Sequence, residues 1–528
     1  MTRPKWLRTG GTVCSIILCM LASGCDGGAS SRRASGLVGP TVAKTASCAA
    51  GDHAEPALQG QIPAVVRANG FNGYNCNLAQ VGQVVSAAGV GLATFKDDHG
   101  HFCAYFSVGL GPNGSTEAVD ITDPANPVVT ATLTTPAMAQ PRETLRVNAR
   151  RQLLAAFKDS KSDFDIYDLS QDCRTPRLLA SLQMEPGVNG GLAEAKAVIG
   201  HDANFSVDGL TYYDGEGQSR TYTAIDVSDP TRPKVISQID LSAAPLAHAG
   251  FNGFGHGLSL SDDGNRAYVV SIGLPTAAQL ASPDFQPSDG IYVLDTSEIQ
   301  ARKPAPRAKV ISALAFRNGS AAQHTLAIKI GGKPYVIFVD EVGGGGIPGM
   351  ASGGTVQEAC NAGLTPFSMG HIIDISDETK PKLVAELALE THDLANCSKV
   401  APDTVGEGLF VYGSHICSVD NRENATALAC GYWESGIRVF DIRHPARPKE
   451  IAYFNPAPAP GADVKLPLGL GPQKPTVANS CGAPAGFDFD RKLLISQCMR
   501  SGLLVLRFEN GVWPFPESTP ADRTVGYN

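Results

Sequence analysis

The chain has 528 residues, more than one ordinary compact domain holds. Its 43% apolar and 18% charged content excludes an intrinsically disordered chain. A formal net charge of −8 argues against nucleic-acid binding, which demands a cationic face.

The N-terminus carries export features. Lys5 and Arg8 precede an apolar stretch from Val13 to Leu21, followed by Leu21-Ala22-Ser23-Gly24-Cys25. A short apolar core ending in small residues is a secretory signal and too short to span a bilayer. A Cys directly after the small residues resembles the bacterial lipobox. That resemblance implies cleavage after residue 24, lipidation of Cys25 and attachment to a membrane through the lipid. Residues 26–47 are rich in Gly, Ser and Ala and read as a flexible tether.

A repeat fills the body of the chain. Apolar residues, an Asp, an apolar residue, Ser or Thr and Asp-Pro recur ahead of an apolar strand. The copies are Ala118-Val119-Asp120-Ile121-Thr122-Asp123-Pro124, Ile225-Asp226-Val227-Ser228-Asp229-Pro230, Ile373-Asp374-Ile375-Ser376-Asp377 and Phe440-Asp441-Ile442. Weaker copies lie at Asp168 and Asp295. The period of about 50 to 80 residues suits a unit of four short strands, and such units make a β-propeller. In residues 201–239, β-branched runs are separated by Asp-Gly, Gly-Glu-Gly and Asp-Pro, the punctuation of antiparallel strands. The Asp-Pro turn is placed between third and fourth strands, where the Asp braces the backbone. Six units carry the Asp. A seventh, at 487–508, has three strands, and Asn77–Val85 supplies the missing fourth. The predicted fold is therefore all-β: a seven-bladed propeller over residues 75–515, closed by an N-terminal strand completing the last blade. Residues 25–74 form a tether and extension before it, and 516–528 a tail.

The six Asp motifs resemble the LVIVD-repeat family, predicted β-propellers of bacterial and archaeal cell surfaces. The resemblance covers roughly residues 75–515. It implies a fold and a compartment but no reaction.

Candidate chemistry lies at the starts of first strands, which line a propeller's channel. His201, His256, His324 and His415 stand there, with Glu143 in the equivalent place of the second unit. Imidazole is the commonest protein ligand for divalent transition metals. A ring of such residues would hold one divalent ion, Cu, Zn or Fe. The alternative is that each His bonds to a neighbouring blade's backbone. Converging nitrogens favour a metal-dependent oxidoreductase or hydrolase. Splayed ones favour a binding module. His248 and His392 lie in loops able to reach over the same face. His99, His101, His371 and His444 carry less interest. No Gly-x-Ser-x-Gly elbow, HExxH or calcium loop occurs, and Asp262-Asp263-Gly264-Asn265 reads as a hairpin turn. The Gly343–Gly346 run lacks the Lys-Ser/Thr of a phosphate loop.

The long insertions at 183–200, 240–255, 273–289, 341–369, 390–414 and 455–480 fall on one side of the disc. Function tends to live on elaborated loops held by a rigid scaffold. Thirteen cysteines include three in the signal and anchor, and the even remainder suggests five disulfides in an exported chain. Expected pairs are Cys360–Cys397, Cys417–Cys430 and Cys481–Cys498, with Cys76–Cys103 and Cys48–Cys173 completing the set. The leading functional expectation is a monomeric binding module at the cell envelope. Its loop-rich face would take a protein or small-molecule ligand, and the metal enzyme is the alternative.

Overall fold

The Asp that leads each repeat marks the end of a third strand. The computed structural model describes residues 42–520 apart from 110–112, 218, 243–253, 274–288, 317–319, 344–355, 362, 406, 408–409 and 463–476. In it, strands end at Asp120, Asp168, Asp226, Asp295, Asp374 and Asp441. Each carboxylate accepts the backbone N–H two residues on, at 2.8 to 3.1 Å: those of Thr122, Ser170, Ser228, Ser297, Ser376 and Arg443. This Asx turn stops one strand and aims the chain into the next.

Seven antiparallel sheets result, and in each the first strands run in chain order from the inner side outward. The blades span residues 88–133, 146–183, 202–240, 258–316, 321–387, 414–455 and 486–508. The chain has the seven-bladed β-propeller fold. The last blade supplies three strands, and Leu78–Val84 pairs antiparallel with Gly502–Phe508 as its fourth. All seven sheets carry a register shift between third and fourth strands. A bulge at that place increases the local twist.

The apolar core lies between blades. Seven clusters each combine residues of two neighbouring blades and together close the ring. Between the sixth and seventh blades, for example, Val439, Ile437, Leu494, Leu504 and Trp513 are all buried. Adjacent sheets thereby hide both faces, and strands read as near-continuous apolar runs.

The N-terminal segment is docked on the sixth blade. Tyr74–Cys76 adds a fifth strand to that sheet. Buried Arg438 pairs with Glu450 at 2.7 Å and with Glu55 of the segment. Val42 and Lys44 bridge to Ala388 and Lys449. The flexible tether expected over 26–47 is therefore structured from Val42 onward, because its backbone finds partners on the fifth and sixth blades. Residues 1–41, including the expected signal peptide and Cys25, lie outside the described residues.

Disulfides join Cys48–Cys76, Cys103–Cys173, Cys360–Cys397, Cys417–Cys430 and Cys481–Cys498. The expected Cys76–Cys103 and Cys48–Cys173 pairs are corrected. Cys76 sits on the outer edge of the sixth blade beside the docked segment. Cys103, in the second strand of the first blade, faces the Asp168 turn of the second. Five disulfides suggest an oxidising, exported environment. Among the described residues no helix is long and apolar enough to cross a membrane.

Candidate metal centre at the channel mouth

First strands of successive blades lie against one another around the channel. Their starts are delivered by connections from the previous blade's fourth strand. In an antiparallel meander these connections share a face with those between second and third strands. Glu143, His201 and His256 precede the first strands of the second, third and fourth blades. His415 lies at the start of the sixth blade's first strand, Ser414–Val419. Glu341 leaves the fifth blade at the end of its second strand, Lys333–Val342, on the same face.

These five residues converge. His415 Nε2 lies 3.1 Å from Glu143 Oε1 and 3.5 Å from Glu341 Oε1. His256 Nε2 lies 3.7 Å from Glu143 Oε2 and 3.9 Å from Glu341 Oε2. The His201 and His256 rings meet edge to face with centroids 4.5 Å apart. Two groups able to hold a metal therefore form here: Glu143, His201 and His256, and Glu143, Glu341 and His415. In each group the ligand atoms all lie within 4.8 Å of one another.

Further contacts orient these side chains. His415 Nδ1 donates to Gly482 O at 2.6 Å, which leaves Nε2 facing the carboxylates. His201 Nδ1 bonds Asp159 Oδ1 at 2.9 Å, and Arg142 braces Asp159 from its other oxygen at 3.0 Å. Arg146 pairs with Asp202 at 2.7 Å, and Asp202 Oδ2 stands 3.8 Å from His256 Nδ1. A His tied through one ring nitrogen to a carboxylate or carbonyl, with the other pointing inward, is the usual support of a metal-ligating imidazole. Gln323 Nε2 donates to Glu143 Oε2 at 2.9 Å and lies 2.8 Å from His415 Nε2.

His256 carries the strongest signal. Its side chain is 2% exposed, and among the described residues neither ring nitrogen has a hydrogen-bond partner. A buried polar group without a partner costs about 1–3 kcal/mol, so such a group asks for an occupant.

The electrostatics agree. Burial would raise Glu143, yet His415, His256 and His201 hold it well below the usual carboxylate range. Burial would lower His415 and His201. Instead Glu143 and Glu341 push His415 up to about 10, and the hydrogen bond from His201 to Asp159, together with the charge of Glu143, pushes His201 up to about 9. The carboxylates thus favour positive charge at these imidazoles. One wall of the site is apolar: Trp433 lies against His415 with ring centroids 4.4 Å apart, backed by Phe410 at 4.5 Å.

His324, also expected in the ring, belongs to neither group. Its Nε2 accepts the backbone N–H of Cys417 at 3.3 Å, a bond to the neighbouring blade. It is the fourth residue of its strand, Ala321–Ile330, whereas His415 is the second of Ser414–Val419. Burial holds it well below the usual imidazole range. His392 is buried and accepts Leu389 N–H through Nδ1. His371 bonds Asp340. His248 lies outside the described residues. Glu341, Asp159, Asp202 and Gln323 were not singled out from the sequence. The available signal for Glu341 was a charged pair, Asp340-Glu341, ending the apolar run Val336–Val339.

No family model matches the chain, and no curated protein matches it. Similar solved structures include the β-propeller domain of Cps50 (Swd1) from Myceliophteria thermophila, with 9% identity, TM-score 0.47, and 81% of this chain and 98% of that one covered. Kuenenia stuttgartiensis hydrazine synthase gives 13% identity, TM-score 0.47, and 81% and 97% coverage. The WD40 domain of Toxoplasma gondii coronin gives 12%, 0.45, and 88% and 92%.

Proposed function

We propose that this chain is an exported propeller with a divalent metal centre at its channel mouth, and that it acts as a metal-dependent enzyme on a ligand entering from the loop-bearing face. Glu143, Glu341, His256 and His415 would hold the metal, with His201 beside them. The observation that carries this reading is the buried, unbonded His256 imidazole facing two carboxylates. A set of oxygen and imidazole donors suits Zn or Fe better than Cu(I), which prefers sulfur, and all ten described cysteines are in disulfides. Bound there, such an ion would act as a Lewis acid toward water or a substrate oxygen. The protein's own part is to orient His201 through Asp159 and His415 through Gly482, and to exclude water with Trp433.

Elemental mass spectrometry of the purified protein, loaded with Zn or Fe and desalted, tests the reading. Bound metal that disappears in a His256→Ala/His415→Ala variant of unchanged circular dichroism is the expected result. No retained metal in the unaltered protein would overturn it.

The Asx-turn repeat supports placement among LVIVD-repeat proteins, and the lipobox supports anchoring through Cys25. Detergent partitioning of the expressed full chain, lost in Cys25→Ser, checks the anchor.

A further inference from the structure

The two carboxylates of the site face its two histidines with different oxygens. Toward His415 Nε2 point Glu143 Oε1 and Glu341 Oε1, at 3.1 and 3.5 Å. Toward His256 Nε2 point Glu143 Oε2 and Glu341 Oε2, at 3.7 and 3.9 Å. Metal bonds to imidazole and carboxylate are about 2.0–2.2 Å, so two ligands of one ion lie no more than about 4.2 Å apart. All four distances fall inside that limit. For a single ion, each carboxylate would turn one oxygen to a shared centre. The observed arrangement instead gives each histidine its own pair of oxygens.

We infer that the site holds two divalent ions bridged by Glu143, an inference that rests on the metal reading above. One ion would lie on His415 with the two Oε1 atoms. The other would lie on His256 with Glu143 Oε2, and His201 completes its side. Carboxylates that bridge in this way keep ions about 3.5–4 Å apart, the separation used by two-metal hydrolytic sites. The supporting residues split along the same line. Gly482 orients His415, whereas Asp159 orients His201 and Asp202 lies 3.8 Å from His256 Nδ1. Buried Arg146 and the Arg142 guanidinium pair with Asp202 and Asp159. Glu143, the residue common to both groups, is thus the carboxylate placed to bridge the ions.

Titration of the metal-stripped protein with Mn²⁺ separates the possibilities, with bound metal counted by elemental mass spectrometry and spin state read by electron paramagnetic resonance. Two ions per chain with a spin-coupled multiplet are expected. His415→Ala should keep one ion and show the six-line spectrum of isolated Mn²⁺. Glu143→Gln should lose the coupled signal while its circular dichroism is unchanged, and the more exposed Glu341→Gln provides a second variant. One ion per chain with a six-line spectrum would overturn the pair and leave the metal centre standing. Two ions without coupling would overturn the shared bridge. No bound ion would overturn both readings.

Discussion

Glu143 and His415 meet at 3.1 Å although they enter the channel from the second and sixth blades. Such a contact needs the ring to be closed. The clusters between adjacent blades and the strand Leu78–Val84 on the seventh blade supply that closure. The site is therefore a property of the whole propeller.

The backbone beside His256 leaves no room for a side chain. A Cβ at Gly257 would lie 2.3 Å from His324 Cβ and 2.4 Å from Asp202 Oδ2. Gly257→Ala is expected to shift His256, lose metal retention and cost about 1–3 kcal/mol by overpacking. Metal content and chemical denaturation measured on the same sample check it. Full metal retention with unchanged stability would show that the site accommodates a Cβ at Gly257.

The repeat Asp residues should matter to stability alone. Asp226 accepts Ser228 N–H at 3.0 Å at a turn on the side away from the site. Asp226→Ala is expected to cost about 0.5–2 kcal/mol, the range for losing a comparable cap, with metal binding unchanged. Urea denaturation with parallel metal analysis reads both quantities.

Disulfide losses should differ with the length of chain they close. Cys103–Cys173 spans 70 residues and Cys417–Cys430 spans 13. The chain-entropy relation makes the first worth about 1.5 kcal/mol more than the second. Double Ser variants compared by denaturation test this order. Peptide mapping without reduction should yield a Cys103–Cys173 linked pair and no Cys76–Cys103 pair.

Docking of the N-terminal segment should weaken as pH rises. Arg67 lies between Glu434 at 2.7 Å and Glu407 at 3.2 Å. Burial first, and then the like charge of Glu407, outweigh Arg67 and push Glu434 up to about 7. A carboxyl raised on folding contributes stability that is complete below its unfolded value, about 4.5, and is lost as pH rises through 7. The size is about 1–3 kcal/mol. Hydrogen exchange at Ala64–Asn69 should quicken between pH 5 and 8 after correction for intrinsic rates, and Glu434→Gln should flatten the change. An unchanged pH profile in that variant would assign the effect elsewhere.

Local chemistry made the blades legible in the sequence. An Asp followed two residues later by a free backbone N–H makes the same turn wherever it occurs, so six copies revealed six strand ends. The three-strand deficit at 487–508 then required Leu78–Val84. The disulfides within one sheet or between facing loops followed from that strand map. Cys48, Cys76, Cys103 and Cys173 did not, because their pairing depends on where an extension without the repeat comes to rest. The candidate site divides in the same way. Strand starts pointed to Glu143, His201, His256 and His415, since the channel is lined by first strands in any propeller. Only the tertiary structure separated His324, whose place inside its strand turns it to a backbone N–H. Only the tertiary structure added Glu341, which comes from the end of a second strand and meets His256 and His415 once the ring is closed.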